Sequence, residues 1–268
     1  MADGQGSRSR RCLALLWKRV DFRESSRVVS LVTRDHGRVT ALAKGAHRPD
    51  SPFLGRLDFL NEVYATLSPD RGGLRLLLRV ELVHERRALR SPARFQAASH
   101  VCDLADTSLF AGRPEPELFD LLRGGLTLIE LAPEPTLPQV VLGLELRYLA
   151  QLGALPDLSA CGQCGTQLTG IVYTGDDGGL CCRRHAGTGH HAIAPAALAW
   201  LRHLSTLPGR QWPELDPGGL TAAAVALPAV WLQRALDRHS RLRAQVFTRH
   251  RRLEQSMVEK HACGRTLR

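Results

Sequence analysis

At 268 residues, 44% hydrophobic and 23% charged, the chain is long enough for two or three compact units that need no disulfides to hold their cores. Its formal charge of +10 favours a polyanionic partner, and the charge is polarised. Residues 1–90 carry +8, 91–156 carry −4, 157–231 carry −1 and 232–268 carry +7, so two basic ends flank a neutral or acidic middle. The basic start at Arg8, Arg10 and Arg11 is followed by only Leu13-Ala14-Leu15-Leu16-Trp17 before Lys18, too short for a secretory leader. Charges interrupt every Leu-rich run within about ten residues, which argues against a membrane span. A soluble cytoplasmic protein, nucleoid-associated if its partner is DNA, is the expectation.

In chain order, Cys12–Val20, Val28–Thr33 and Arg38–Lys44 read as strands, with Asp35-His36-Gly37 turning between the second and third. A cationic loop follows, Lys44-Gly45-Ala46-His47-Arg48-Pro49-Asp50-Ser51-Pro52-Phe53-Leu54-Gly55-Arg56. Its glycines allow close backbone approach and its cations suit a phosphate chain, although basic loops are also common as plain solvated connections. Phe59–Leu67 and Leu74–Val83, joined by a turn over residues 68–73, complete five strands. Five short antiparallel strands predict a small barrel, and an oligonucleotide-binding barrel is the economical choice because closure removes the sheet edges.

From Pro92 the period changes to three and four, with Phe95, Ala98, Val101, Cys102, Ala105 and Leu109 on one face. Further helices are expected over Glu115–Leu122, Pro138–Leu152, Pro195–Leu204 and Pro228 to about Leu253. The last of these carries Leu232, Leu236, His239, Leu242 and Val246 on one side, His239 being read as a core or boundary residue. Gly and Pro crowd 207–219 as in a loop.

Four of the seven cysteines lie between Cys161 and Cys182. Cys161-Gly162-Gln163-Cys164 and Cys182-Arg183-Arg184-His185 repeat one two-residue gap, and 17 residues separate the pairs. Three thiolates and one imidazole at that spacing fit a closed tetrahedral zinc site whose role is structural. Ile171-Val172-Tyr173 and Gly178-Gly179-Leu180 can form a hairpin between the pairs. Cys181 is a rival ligand, His190 and His191 are weaker ones, and Asp176 and Asp177 read as solvated turn residues. No Gly-x-Ser-x-Gly, Walker loop, dinucleotide fingerprint or His-Glu-x-x-His is present, so the chain is expected not to be an enzyme.

The expected fold class is α+β and multidomain: a five-stranded barrel over residues 1–88, a helical domain over 89–158 and 193–260, an inserted zinc-knuckle module over 159–192, and a tail at 261–268. Taken in order, Glu24-Ser25-Ser26-Arg27-Val28-Val29, Gly37-Arg38-Val39, Ala43-Lys44-Gly45-Ala46-His47-Arg48-Pro49-Asp50-Ser51, Gly55-Arg56-Leu57-Asp58-Phe59 and the late cysteine cluster resemble the RecO family of bacterial recombinational repair proteins. The resemblance spans most of the chain. It implies an oligonucleotide-binding barrel on a helical domain, binding of single- and double-stranded DNA, strand annealing, and loading of recombinase onto DNA coated by single-strand binding protein. The implied partners are RecR and the C-terminal tail of that coating protein.

On the matched motifs, Arg38, Lys44, Arg48 and Arg56 become candidate phosphate contacts, joined by Arg34 through proximity, all expected along one rim of the barrel. His185 stands where many relatives carry a fourth cysteine, an exchange that preserves zinc chemistry. Asp50 sets an acid where a base is frequent. Candidates for base stacking are Trp17, Phe22, Phe53, Phe59 and Tyr64. The alternatives are a zinc-containing RNA-binding protein of translation or ribosome assembly, and a metal-dependent hydrolase, which would require an open coordination position.

Overall fold

The computed structural model describes residues 9–70, 74–238 and 240–248. Their described parts fall into two compact units, Met1–Arg90 with Ala105–Arg123, and Ser91–Leu104 with Gly124–Arg268. His239 and the expected tail at 261–268 lie outside the described residues.

The first unit is built on a closed barrel in the order β1-β2-β3-β5-β4, from β1 (Arg10–Phe22), β2 (Ser26–Thr33), β3 (Gly37–Ala43), β4 (Glu62–Leu67) and β5 (Arg75–His84). All pairings are antiparallel except β3 with β5, a short parallel join at Ala41↔Arg75 and Leu42↔Leu76 that closes the cylinder. Alternation turns Cys12, Ala14, Leu16, Val29, Leu31, Val39, Ala41, Val63, Ala65, Leu77 and Val80 inward to form the core. Burial pushes the Cys12 thiol up to about 11, as packing alone requires.

The cationic loop is not merely a solvated connection. Ala46, Phe53 and Leu57 are buried in the same core, so its apolar residues stopper the barrel while its charged ones face out. Residues 59–61, expected at the start of β4, belong to this loop instead. Leu60 takes a left-handed backbone (φ 61°), is fully buried, and donates its N–H to Leu16 O at 2.8 Å.

The helices are α1 (Pro92–Asp106), α2 (Pro116–Leu131), α3 (Leu137–Gln151), α4 (Pro195–Thr206), α5 (Ala222–Leu236) and a short α6 over 241–248. Two of them correct the sequence reading. α2 runs nine residues past Leu122, through Gly124-Gly125, a pair that reads as a breaker. The expected helix from Pro228 to Leu253 is two: α5 starts earlier, where Thr221 Oγ1 accepts the Ala224 N–H at 3.2 Å, and contains Pro228 internally. It stops at Asp237, whose left-handed backbone (φ 50°) ends the hydrogen-bond ladder. Phe95, placed on the buried face of α1 by its spacing, is 49% exposed.

The second unit buries Leu126, Ile129, Leu142, Leu146, Leu149, Leu201 and Leu204 around α3. Within it sits a charged cluster with no exposure at its centre. Glu145 accepts from Arg243 (Nε to Oε1 2.8 Å, Nη2 to Oε2 2.9 Å) and lies 2.7 Å from His100 Nε2, while His100 Nδ1 meets Ser240 Oγ at 3.0 Å. Every polar edge of the carboxylate is therefore matched, which is what a buried charge demands.

Candidate metal centre and nucleic-acid interface

Between α3 and α4 a three-stranded sheet in the order β7-β6-β8 is formed by β6 (Val172–Thr174), β7 (Leu180–Cys181) and β8 (His191–Ile193). β6 and β7 are the hairpin expected between the cysteine pairs; β8 adds an edge that the sequence reading lacked. The module is tied to its own unit by Trp231 Nε1 donating to Gly178 O at 2.7 Å and by Arg202 donating to Leu158 O at 2.6 Å and Leu168 O at 3.1 Å.

Cys161, Cys164, Cys182 and His185 converge so that their ligand atoms all lie within 4.8 Å of one another. Cys161 Sγ is 3.7 Å and Cys182 Sγ 3.4 Å from His185 Nδ1, and Cys164 Sγ is 4.0 Å from Cys182 Sγ. Four donors on bonds of about 2.0 to 2.3 Å in a tetrahedron stand about 3.5 to 3.8 Å apart, so the arrangement fits a metal ion. Two tight turns produce it. Gly165 N donates back to Cys161 O at 2.8 Å, and His185 N to Cys182 O at 3.0 Å.

Backbone N–H groups of Cys182, Gln163 and Cys164 aimed at Cys161 hold its thiol down to about 6, outweighing burial, and so favour the thiolate that metal binding needs. Cys181 is not in the group. It pairs with Tyr173 in the β6–β7 ladder and is buried, and that burial pushes its thiol up. Strand alternation sends neighbouring side chains to opposite faces, which separates Cys181 from Cys182. His190 Nδ1 accepts from Gly187 N instead, and Asp177 caps Gly179 N and pairs with Arg234 at 3.2 Å.

The five candidate phosphate contacts do not share one rim. Arg38 opens β3 and Lys44 follows its end, six residues or about 20 Å along the strand. At the first end Arg34 and Arg38 are already matched by carboxylates. Arg34 lies 3.0 Å from Asp120, and Arg38 grips Asp106 with its side chain only 23% exposed. Asp106 also accepts from Trp17 Nε1 at 2.6 Å. Burial raises its acidity constant, but the Trp17 hydrogen bond and Arg38 prevail and hold the carboxyl below its usual range. Arg56 donates to Val80 O at 2.9 Å, on the β5 side of the barrel.

At the opposite end Lys44 and Arg48 are exposed, and among the described residues neither has a carboxylate partner. The Arg48 N–H donates to Gly45 O at 3.1 Å, and its Cδ lies 3.3 Å from where a Gly45 Cβ would be, so its side chain folds back beside Lys44. His47 N donates to Ser25 O at 3.0 Å, which sets this loop against the β1–β2 turn and its exposed Arg23. Arg23 escaped the sequence reading because it stands outside the loop in sequence; only the fold brings the two segments together.

Of the stacking candidates, Trp17 and Phe53 are buried, and Arg11 lies 3.8 Å above the Tyr64 ring. Phe22 is 40% exposed. No helix among the described residues is long and apolar enough to cross a membrane.

Sequence comparison agrees with this architecture. The family described as Recombination protein O N terminal matches residues 9–86, and Recombination protein O C terminal matches residues 89–223. The chain is 31% identical over 219 residues to the DNA repair protein RecO of Rhodopirellula baltica and 32% identical over 219 residues to that of Heliobacterium modesticaldum, covering 78% of each chain in both cases. To the DNA repair protein RecO of Anaeromyxobacter dehalogenans it is 33% identical over 217 residues, 78% of this chain and 81% of the relative. An oligonucleotide-binding barrel followed by helices that carry a metal-competent cysteine cluster, matched along its length by both family descriptions, makes this chain a member of the RecO family of DNA repair proteins.

Proposed function

We propose that the chain is a non-enzymatic DNA-binding mediator of recombinational repair, which anneals complementary single strands and helps load recombinase onto DNA coated by single-strand binding protein. RecR and the C-terminal tail of the coating protein are the protein partners on this reading, and the ion in the Cys161, Cys164, Cys182 and His185 group is zinc in a bracing role. The observation that carries it is the cluster of Arg23, Lys44 and Arg48 beside one another at one end of the barrel, exposed and without carboxylate partners among the described residues. Cations left unmatched there gain most from a phosphate chain, because each contact releases condensed counterions. Arg34, Arg38 and Arg56 are secondary contacts, since each already has a partner within the barrel unit.

A four-ligand set supplied wholly by the protein supports the bracing role, as it leaves no coordination position for a reacting water. Thiolate-rich tetrahedra favour zinc over magnesium or calcium.

The test is annealing of complementary strands coated by the cognate single-strand binding protein, comparing the full chain with Lys44→Glu plus Arg48→Glu. Annealing and strand affinity fall by more than tenfold in the double variant if the reading holds, and affinity of the parent drops steeply between about 50 and 200 mM salt. Unchanged annealing overturns it.

A further inference from the structure

Beyond Leu15, β1 has no further pairing with β4, and from Lys18 onward every residue of the strand is exposed, so the β1–β2 hairpin extends past the barrel core. Alternation divides this extension into two faces. On one, Arg19 is tied to Leu57 O at 2.9 Å and Asp58 at 2.8 Å, and Asp21 to Arg27 at 2.8 Å and His47 at 3.0 Å. The other presents Val20 and Phe22, 65% and 40% exposed. Apolar side chains left in water on an otherwise charged hairpin contribute nothing to the core.

The residue after Phe22 adds a second anomaly. Arg23 occupies the left-handed region (φ 54°), where Gly or Asn would sit with less strain. Its guanidinium carbon lies 5.2 Å from the centroid of the Phe22 ring, within cation–π range. The turn thus holds an aromatic face and a planar cation together at the tip, beside Lys44 and Arg48. An aromatic ring interleaved with unmatched cations is the combination that binds an unpaired base together with its flanking phosphates.

We infer that Phe22, capped by Arg23, is a stacking platform for an unpaired base, and that it directs this end of the barrel to strands with free bases rather than to duplex. This rests on the nucleic-acid reading above and adds the class of strand and the residue that selects it. A protein partner at the same tip is the competing use; the surrounding cations favour the polyanion.

The test measures equilibrium binding of the full-length chain to three labelled probes: a single-stranded oligonucleotide, a strand of equal length with abasic sites throughout, and a blunt duplex. Phe22→Ala should weaken the base-bearing strand by about tenfold or more. Its affinity for the abasic strand and the duplex, and the slope of affinity against salt, should stay at parental values, and Phe22→Tyr should restore the loss. If Phe22→Ala leaves the preference for bases over abasic sites unchanged, the platform is refuted. Lys44→Glu plus Arg48→Glu separates the two ideas. Weakening of all three probes by that variant with no effect of Phe22→Ala overturns the platform alone, whereas no effect of the charge reversal overturns the nucleic-acid reading itself.

Discussion

Arg34 holds Asp120 at both ends of its guanidinium, with Nε 3.2 Å from each carboxylate oxygen and Nη2 3.0 Å from Oδ2. A carboxylate seated in that fork occupies the geometry in which a phosphate would otherwise lie. Both side chains are about half exposed, so water screens the pair and its removal does little to the fold.

Asp120→Asn is therefore expected to raise affinity for single-stranded DNA and to steepen the slope of log affinity against log salt by about 0.7, the increment of one added phosphate contact. Arg34→Ala should change affinity by less than twofold, because the cation is already spent on its neighbour. A salt titration of both variants against the parent checks this. Equal losses of affinity in the two would show that Asp120 positions Arg34 for DNA instead of masking it.

Removal of the metal should act on one module. With a chelator in excess, residues 159–193 are expected to lose amide protection while the barrel strands keep theirs in hydrogen exchange. Cys182→Ser should abolish stoichiometric metal binding, and Cys181→Ser should leave it intact, because Cys181 is a β-ladder residue outside the ligand group. Substitution with cobalt, read by its thiolate charge-transfer absorption, distinguishes the two variants without reference to activity.

Much of this was legible in the chain, and the failures have physical causes. The strands alternate and the ligand pairs keep a fixed gap, both local patterns that survive folding, so the barrel and the cysteine cluster could be read directly. The phosphate surface could not. Arg34, Arg38, Lys44 and Arg48 are close in sequence, but a strand rises about 3.3 Å per residue, and six residues carry Lys44 to the far end of β3. Arg23 reaches that end through strand pairing, and Asp106 and Asp120 reach Arg38 and Arg34 from 68 and 86 residues away. The long helix that proved to be two was misread because apolar spacing continues across Asp237 while the backbone does not.

Acid should weaken the second unit through Glu145. Burial opposes its charge, yet Arg243 and His100 more than offset this and hold the carboxyl below its usual value of 4.5. A folded acidity constant lower than the unfolded one means stability that is fully present above about pH 4.5 and is lost as the pH falls through the folded value. Denaturant midpoints measured from pH 7 to 3 should drop across that window. Glu145→Ala should lose about 3 to 5 kcal/mol at neutral pH by leaving Arg243 buried and unmatched, and its midpoint should vary less with acid than the parent's.

Two helix glycines should tolerate alanine unequally. A Cβ on Gly125 would lie 2.7 Å from Leu144 Cδ2, and one on Gly143 would lie 2.5 to 2.7 Å from three atoms of the Trp212 indole. Alanine raises helix propensity by about 1 kcal/mol at either site, so the sign of each effect depends on whether the neighbour can move. Leu144 can change rotamer at its far end. Trp212 cannot, being 2% exposed with its Nε1 donating to Leu204 O at 3.0 Å, so displacing the ring also breaks that buried hydrogen bond. Gly143→Ala is expected to destabilise by about 1 to 3 kcal/mol and Gly125→Ala by less than 1 kcal/mol, as read from chemical denaturation. The sequence reading took Gly124-Gly125 as a helix stop because glycine lowers propensity, but at Gly125 the missing Cβ is what lets α2 approach α3 closely enough to seat Leu144.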